Sequence, residues 1–151
     1  MIENNEINSE GQEFLENADI PIRLAVHTES GWPIVMSLWF LYKQGNFYCA
    51  TIKSAKIIKY ARKDNRCAFE IARDSPPYKG IRGQGRIKID LKKGDIILEA
   101  LLDKYNVRTD SKLAKFLLSR IKDEVALIIK PNQLYSWDFS KRMKNALKKK
   151  K

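Results

Sequence analysis

The stretch that most restricts how this chain can fold is the nine-residue run Ile34–Tyr42, in which Ser37 is the one small polar residue. A strand that is apolar on both faces is predicted to lie in the centre of its sheet, with cover on both sides. The next four residues, Lys43-Gln44-Gly45-Asn46, suit a hairpin turn, and Phe47–Thr51 is predicted to return as the partner strand. With the alternating strand Ile22–His27 that precedes them, they predict an antiparallel meander.

The rest of the chain supplies further strands with helices inserted between them. Runs with strand periodicity predict strands at residues 66–73, 80–91, 125–130 and 134–138. Helical spacing and capping residues predict helices at residues 9–18 (capped by Ser9), 55–63 (capped by Ser54), 95–105 and 111–120. Since no repeat or linker interrupts this pattern, we expect one β-rich α+β domain of about six strands over residues 1–140, followed by a basic tail at 141–151.

The net charge of +11 suggests a nucleic-acid partner, but its distribution argues against one. Residues 141–151 carry seven cations and no acid, which leaves +4 for the rest of the chain. A terminal lysine run is typically a solvated, frayed tail. No apolar run is long enough to cross a membrane, and the N-terminal residues are acidic rather than a basic leader. We therefore expect a cytoplasmic protein with neither a nucleic-acid nor a membrane partner.

The sequence offers little for metal or nucleophilic chemistry. Cys49 and Cys67 lie in apolar, strand-like runs without a CxxC motif, so buried free thiols are predicted, with a disulfide as the alternative. His27 is the one histidine, and no acids with ligand spacing surround it, so no metal site is expected. Neither the GxxxxGK[ST] loop of nucleotide hydrolases nor the GxGxxG of a Rossmann helix occurs, which argues against nucleotide hydrolysis.

The strand-to-helix junction at residues 51–56 is predicted to bind an anion. Thr51 and Ser54 supply hydroxyls, Lys53 and Lys56 supply two cations, and the first turn of a helix leaves N–H groups without partners. A phosphate would be well held there. The alternative is a capped surface helix with a solvated lysine face, which the sequence favours equally.

Two further features could complete a cofactor site. Ser37 and Trp39 share one face of the run Ile34–Tyr42, on which a flat ring could lie, although aromatic strand residues more often serve the core. Residues 78–85 combine a basic pair, an amide at Gln84 and three glycines. The glycines indicate a bend, or a close approach by another backbone or a ligand.

Taken in order, these motifs resemble the pyridoxamine 5'-phosphate oxidase-like family of FMN-binding split barrels. The resemblance covers roughly Ile22–Asp90, with a looser match at Pro131–Phe139. It is carried by four segments in matching order and spacing: Pro33-Ile34-Val35-Met36-Ser37-Leu38-Trp39-Phe40, Gly45-Asn46-Phe47-Tyr48, Ser54-Ala55-Lys56 followed by Asp64-Asn65-Arg66, and Gly83-Gln84-Gly85. It implies a six-stranded antiparallel split β-barrel with flanking helices, and a homodimer with two flavins at the subunit interface.

The same resemblance assigns residues to the phosphate end of the flavin. It implies that Lys53, Ser54 and Lys56 bind the phosphate. Thr51 would lie near the ribityl chain. All four belong to the junction that the residue types alone mark as an anion site.

At the ring end, the resemblance implies contacts from three parts of the chain. Met36, Ser37 and Leu38 would flank the isoalloxazine, mainly through backbone groups. Gln84 would reach the cofactor from the neighbouring subunit. Trp137 would close the ring pocket.

The implied activity is that of an FMN-dependent oxidoreductase acting on a small molecule or NAD(P)H, in which the cofactor transfers hydride and no side chain need act as a base. The chain departs from the namesake oxidase in residues 137–151, which lack the arginine and histidine pattern that grips pyridoxal phosphate. We therefore do not expect pyridoxamine oxidation. The helical insert at residues 95–120 is more similar to flavin-reductase or deazaflavin-using relatives.

Two alternatives stay open from the sequence. The same barrel could hold a flavin, a deazaflavin or haem without turnover. A basic nucleic-acid-binding barrel would instead use a set of cations against phosphates: Lys53, Lys56, Lys59, Arg62, Lys63 and Arg66.

Overall fold

The structure, a computed structural model that describes residues 7–148, has one β-sheet and five α-helices in that range. The strands are β1 (Ile22–His27), β2 (Pro33–Leu38), β3 (Leu41–Lys43), β4 (Asn46–Ile52), β5 (Arg66–Ala72), β6 (Lys79–Asp90) and β7 (Glu124–Asp138). The helices are α1 (Ser9–Asn17), α2 (Lys56–Lys63), α3 (Gly94–Lys104), α4 (Lys112–Ser119) and α5 (Ser140–Met143), with a 3₁₀ turn at Ile121–Asp123. α5 lies at the start of the basic tail, and the tail residues Lys149–Lys151 lie outside the described range.

The sheet is antiparallel throughout and curls because of how its two edges are connected. Its strand order is β2-β1-β5-β6-β7-β4-β3. The two outermost strands, β2 and β3, are joined by Trp39 and Phe40 alone. Three Cα–Cα steps span at most about 11 Å, so the two edges of the sheet must approach each other. The result is a split barrel, which confirms the predicted fold class with seven strands in place of about six.

The predicted strand Ile34–Tyr42 divides into β2 and β3 at Trp39–Phe40. Phe40 is fully buried, and two side chains at the C-terminal end of α3 hold its backbone. Its N–H donates to Tyr105 Oη (3.3 Å), and its carbonyl accepts from Lys104 Nζ (2.9 Å). Near the other end of the chain, the two strands predicted at 125–130 and 134–138 form the single strand β7.

The expectation that Ile34–Tyr42 is a central strand is wrong, because β2 lies at an edge of the sheet and pairs with β1 alone. Alternate residues of β2 pack half-buried against the core: Ile34, Met36 and Leu38. The other face is exposed, with Val35 at 68%. Cover on both sides begins only beyond β2, where Trp39 stacks on Tyr105 at a centroid distance of 5.0 Å.

Apolar layers cover the inner face of the sheet and part of the outer face. The main core lies inside the curl, where α2 contributes Ile57, Ile58 and Ala61, the apolar face that its helical spacing predicts. On the opposite face, α3 packs Ile97 and Leu101 over Ala126 of β7. Within residues 7–148, no helix has the length and apolar character needed to cross a membrane.

Both predicted N-caps are displaced by one residue. α1 is capped by Asn8 rather than Ser9, through a hydrogen bond from Gly11 N–H to Asn8 Oδ1 (2.8 Å). α2 begins at Lys56 after Ala55, whose backbone is extended (φ −63°, ψ 143°), so the N-cap position falls on Ala55. Ser54 therefore lies one residue too early, and no side chain caps α2.

Candidate functional site

The free edge of β2 presents backbone hydrogen-bonding groups. Thr28 N–H donates to Trp32 O (2.9 Å) in the hairpin between β1 and β2. Along an antiparallel ladder, hydrogen-bonded pairs alternate with pairs that are not hydrogen-bonded. Counted from the Thr28–Trp32 pair, the β2 residues whose backbone N–H and C=O groups point towards β1 are Ile34, Met36 and Leu38. Val35 and Ser37 turn theirs to the free edge, about 7 Å apart. Pro33, which has no N–H, shares that edge.

The junction between β4 and α2 brings together Thr51, Lys53, Ser54 and Lys56, the predicted phosphate-binding residues. Lys53 is engaged with one acid: its N–H donates to Asp123 O (2.8 Å) and its Nζ lies 2.9 Å from Asp123 Oδ1. Among the described residues, Lys56 makes no ion pair and the exposed hydroxyl of Ser54 makes no hydrogen bond. Lys56 at the uncapped start of α2 is therefore the cation that is available to an external anion.

The curl of the sheet places these two features at one opening. Leu41 of β3 pairs with Tyr48 of β4, and Thr51 lies three residues further along β4, roughly 10 Å. Because β3 and β4 are antiparallel, the three residues that lead back from Leu41 to Leu38, the end of β2, extend towards the Thr51 end of β4. The end of β2 and the end of β4 therefore border the same split. The predicted ring-binding and phosphate-binding segments meet there.

Gln84 lies on the outer face of the sheet, away from the core. Two cross-strand rows share that face: Val35–Ala25–Ala68–Gln84–Gln133 and Ser37–Arg23–Glu70–Arg82–Tyr135. All of these residues except Ser37 line a shallow groove of about 970 Å³. Three strand spacings separate Gln84 from Val35, roughly 14 Å at about 4.8 Å per step. Gln84 therefore does not contact the free edge of β2 in its own chain.

Trp137 lies apart from the other predicted residues. It pairs with Gly80, packs on Phe139 with ring centroids 5.1 Å apart, and lines a cavity of about 530 Å³ beneath α1. Val125, the β7 residue opposite Thr51, is twelve positions earlier on the same strand. Twelve strand positions span at most roughly 40 Å, and Trp137 lies near the opposite end of β7 from the junction.

Two acidic residues near the junction could not be predicted from the sequence. Asp123 holds Lys53, and Glu124 pairs with Ile52 in the ladder while being 5% exposed. Burial raises the pKa of Glu124, which Arg120 partly opposes. Both acids lie about 70 residues from the junction in the sequence, and no local motif connects them to it. The one available signal is the predicted strand start at residue 125, whose pairing partner the sequence does not identify.

The described residues provide binding groups rather than a nucleophile. Cys49 and Cys67 are free and buried, as predicted, and burial raises the pKa of both thiols to about 12. His27 Nδ1 lies 3.5 Å from Asp64 Oδ2, while the Arg66 guanidinium holds the pKa of Asp64 well below its usual range. No group of three or more His, Cys, Asp or Glu within residues 7–148 could hold a metal ion.

Comparison with known proteins shows similarity in structure. No protein-family model matches the chain, and no curated protein matches it. An F420 reductase aligns with a TM-score of 0.69 at 17% identity, over 82% of this chain and 94% of its own. A Clostridium acetobutylicum protein of the pyridoxinephosphate oxidase family, related to general stress protein 26 of Bacillus subtilis, aligns with a TM-score of 0.65 at 20% identity, over 91% and 92% of the two chains.

A third solved structure, the haem storage protein HutZ of Vibrio cholerae, aligns with a TM-score of 0.65 at 14% identity, over 86% of this chain and 94% of its own. At these identities the similarity establishes the fold. The chain therefore has the split-barrel fold of pyridoxine phosphate oxidase-like proteins, and the resemblance found in its motifs is confirmed at that level.

Proposed function

We propose, from the split-barrel fold that this chain shares with the F420 reductase and the pyridoxinephosphate oxidase-family protein, that it binds a flavin at the split and acts as an oxidoreductase. FMN is the proposed cofactor. The ring lies along the free edge of β2, and the phosphate lies at the start of α2. The observation that carries the proposal is that two features border the same split. Val35 and Ser37 turn backbone hydrogen-bonding groups to the free edge of β2, and Lys56 at the start of α2 makes no ion pair with any described residue.

The chemistry of an isoalloxazine fits that edge. Its pyrimidine ring has a donor N–H between two carbonyl acceptors, and an exposed strand edge offers donors and acceptors in alternation. Met36 and Leu38 turn their backbone groups to β1 and their side chains to the core. Of the three predicted ring residues, Ser37 alone therefore offers backbone groups at the free edge, together with Val35. A cofactor held at both ends would be oriented by groups that the fold has already placed.

When bound, the flavin supplies two-electron hydride chemistry. The chain binds the phosphate, orients the ring and excludes water, and none of its side chains is assigned a proton-transfer role. A small molecule or NAD(P)H is the proposed reaction partner.

The proposed assembly is a homodimer with the cofactor at the subunit interface. Gln84 is too far from its own β2 edge to contact a ring there, which supports its assignment to the cofactor of the second protomer. The groove on the outer face, with Ala25 and Ala68 at its centre, is the proposed contact surface. A contact between Trp137 and the ring also requires the second protomer.

A deazaflavin is the second candidate cofactor, because it retains the pyrimidine edge and a phosphate. The F420 reductase favours it by fold alone. Haem is a weaker candidate despite the haem storage protein, because the one histidine, His27, lies on β1 beside Asp64 rather than at the split. The absorbance spectrum of the purified protein distinguishes the three.

Nucleic-acid binding finds less support, because several of the cations it would need are already paired. Lys59 and Lys63 contact Glu29 at 2.7 and 3.0 Å, and Arg66 contacts Asp64 at 2.7 Å. Lys53 is held by Asp123.

The proposal is tested by replacing Lys56 with alanine. A charge-assisted hydrogen bond to phosphate contributes roughly 1.5 to 3 kcal/mol, so Lys56→Ala is expected to weaken FMN binding about ten- to a hundredfold in a fluorescence titration. Riboflavin, which lacks the phosphate, is expected to lose far less. Lys59→Ala is the matched control, since Lys59 lies one turn along the same helix and pairs with Glu29. Its FMN affinity is expected to stay within about twofold.

Equal losses for FMN and riboflavin in Lys56→Ala would indicate misfolding rather than a lost phosphate contact. Unchanged affinity for both ligands would remove Lys56 from the site. Absence of any flavin binding by the wild-type protein would overturn the proposal.

A further inference from the structure

The outward side of α4 combines basic and apolar side chains. α4 buries Ala114, whereas Leu113 and Phe116 are 47% and 56% exposed. Lys112 and Lys115 are exposed beside them. Helical periodicity puts these four residues on one continuous arc, here called the α4 face.

No ion pair within the described part of the chain involves the cations around α4, although the buried carboxyl of Glu124 lies close enough to Arg120 to interact with its charge. Residues 111–122 contain four cations and no acid. The acids that flank the segment already have partners: Asp110 lies 2.7 Å from Arg108, and Asp123 lies 2.9 Å from Lys53. Arg120 has its guanidinium 4.5 Å from the centre of the Phe116 ring, which adds charge beside an apolar side chain.

A second basic and apolar stretch lies next to the 3₁₀ turn that follows α4. The first turn of α3 reaches this region, because Gly94 lies against the backbone of Glu124. Ile96 and Leu91 are 64% and 62% exposed there. Lys92 and Lys93 are exposed between them. This neighbouring surface therefore offers further apolar and basic side chains, with the exposed acid Asp95 among them.

We propose that the α4 face docks this protein reversibly on an anionic lipid surface. Lysines at the headgroup level attract anionic lipids, and Leu113 and Phe116 reach the boundary of the acyl chains. Nucleic-acid phosphates would satisfy the cations but leave Leu113 in water. The proposal departs from the expectation of no membrane partner, which rested on the absence of a spanning segment, and it does not depend on the proposed cofactor.

A second copy of this chain fits the α4 face poorly. An eight-residue helix is about 12 Å long, and two exposed apolar side chains fall well short of the roughly 800 Å² that each partner buries in a stable interface. Two such faces would also bring like charges together. Charge complementarity therefore favours an anionic surface.

The test measures partition of the full chain onto phosphatidylcholine vesicles with and without phosphatidylserine. Binding is expected to require phosphatidylserine and to weaken with salt. Two double variants, Lys112→Glu with Lys115→Glu and Leu113→Ser with Phe116→Ser, are each expected to lower the partition coefficient at least about tenfold. Lys88→Glu and Trp32→Ser, both at exposed positions elsewhere, are the matched controls and are expected to stay within about twofold.

A second measurement reports insertion directly. Phe116→Trp is expected to add a fluorescence signal that lipids brominated on the acyl chains quench. Circular dichroism confirms that each variant is folded. No added quenching, or partition within twofold of wild type in both α4 double variants, would overturn the proposal and assign any binding to the lysine tail. Tighter binding to a single-stranded oligonucleotide, lost in the same variants, would overturn it in favour of nucleic acid.

Discussion

Gly83 and Gly85 lie where β6 passes closest to β7, and neither position has room for a methyl group. A Cβ at Gly83 would clash with Gln133 O and lie 2.7 Å from Phe69 Cζ. Since the carbonyl belongs to the ladder, Gly83→Ala must displace backbone, and we expect it to lower the free energy of unfolding by about 1–3 kcal/mol. Urea denaturation measures the loss. Lys88→Ala on the same strand is the control, expected within about 0.5 kcal/mol of wild type.

The two cysteines are expected to be chemically silent in the folded protein. Cys49 is fully buried and Cys67 is 7% exposed, and with the pKa of each at about 12 they carry no thiolate at pH 8. A colorimetric thiol reagent is expected to react with neither in buffer and with both in guanidinium chloride. Rapid reaction of one thiol in buffer would contradict the burial of that residue.

Sequence reasoning at single residues succeeded where the cause is local. The apolar runs around Cys49 and Cys67 predict buried thiols. The glycines of β6 predict a bend or a close approach by a backbone or a ligand, and the structure shows the approach of the β7 backbone. Ser54 shows the limit of local signals: serine is a favoured N-cap residue, but the extended backbone of Ala55 puts the N-cap position one residue later. Asp123 could not be predicted as the partner of Lys53, because only the pairing of β4 with β7 brings them together.

Side chains at the C-terminal end of α3 hold the segment between β2 and β3 in place through hydrogen bonds. Lys104 Nζ donates to the carbonyls of Phe40 (2.9 Å) and Leu15 (3.3 Å), and lies 3.9 Å from the centre of the Phe40 ring. Tyr105 Oη donates to Ile20 O (3.0 Å) while it accepts from Phe40 N–H. These bonds join α3, the end of α1 and the split itself. The geometry of the split therefore depends on a helix distant in sequence.

Lys104 is expected to make this attachment pH-dependent. Burial lowers its pKa to about 8, against about 10.4 in an unfolded chain. Between these values the unfolded chain binds a proton that the folded protein does not, so this group raises the free energy of unfolding as pH increases. The thiols and Tyr105, whose pKa values burial raises to about 12, act in the opposite direction above about pH 9.

The contribution of Lys104 is measured as a difference between wild type and Lys104→Met. The stability of wild type relative to this variant is expected to increase from pH 8 to pH 10 in urea denaturation, because methionine does not titrate. Lys88→Met, at an exposed position, provides the control and is expected to show a constant difference. A constant difference for Lys104→Met as well would mean that Lys104 stays charged in the folded protein.

Elements defined by their own periodicity were predicted well, and those defined by their neighbours were not. The helical spacing of residues 55–63 identifies the buried face of α2. The run Ile34–Tyr42 predicts strand structure, but the central place that its apolar faces predict is wrong, since edge or centre depends on pairing with distant segments. On the second apolar face of this run, Val35 is exposed, whereas Trp39 is covered by α3.

For the whole molecule, the decisive connection is the two-residue link between the outermost strands. It forces the sheet to curl and brings the end of β2 beside the β4–α2 junction. The resemblance in the motifs predicted this barrel, whereas strand periodicity alone predicted only a meander. The relation of Gln84 to the split follows from strand order, which no segment of the sequence specifies by itself.

The proposed dimer is expected to depend on the outer face of the sheet. Ala68 lies mid-row between Ala25 and Gln84 and is half-buried in the chain alone. Ala68→Arg places a charged, bulky side chain at the centre of the proposed contact surface. It is expected to convert a dimer into a monomer in analytical ultracentrifugation and to weaken FMN binding at least about tenfold, because Gln84 of the second protomer is lost. Glu99→Arg on the exposed side of α3 is the control, with both properties unchanged. A wild-type monomer that binds FMN at micromolar concentration would show that one chain forms the whole site.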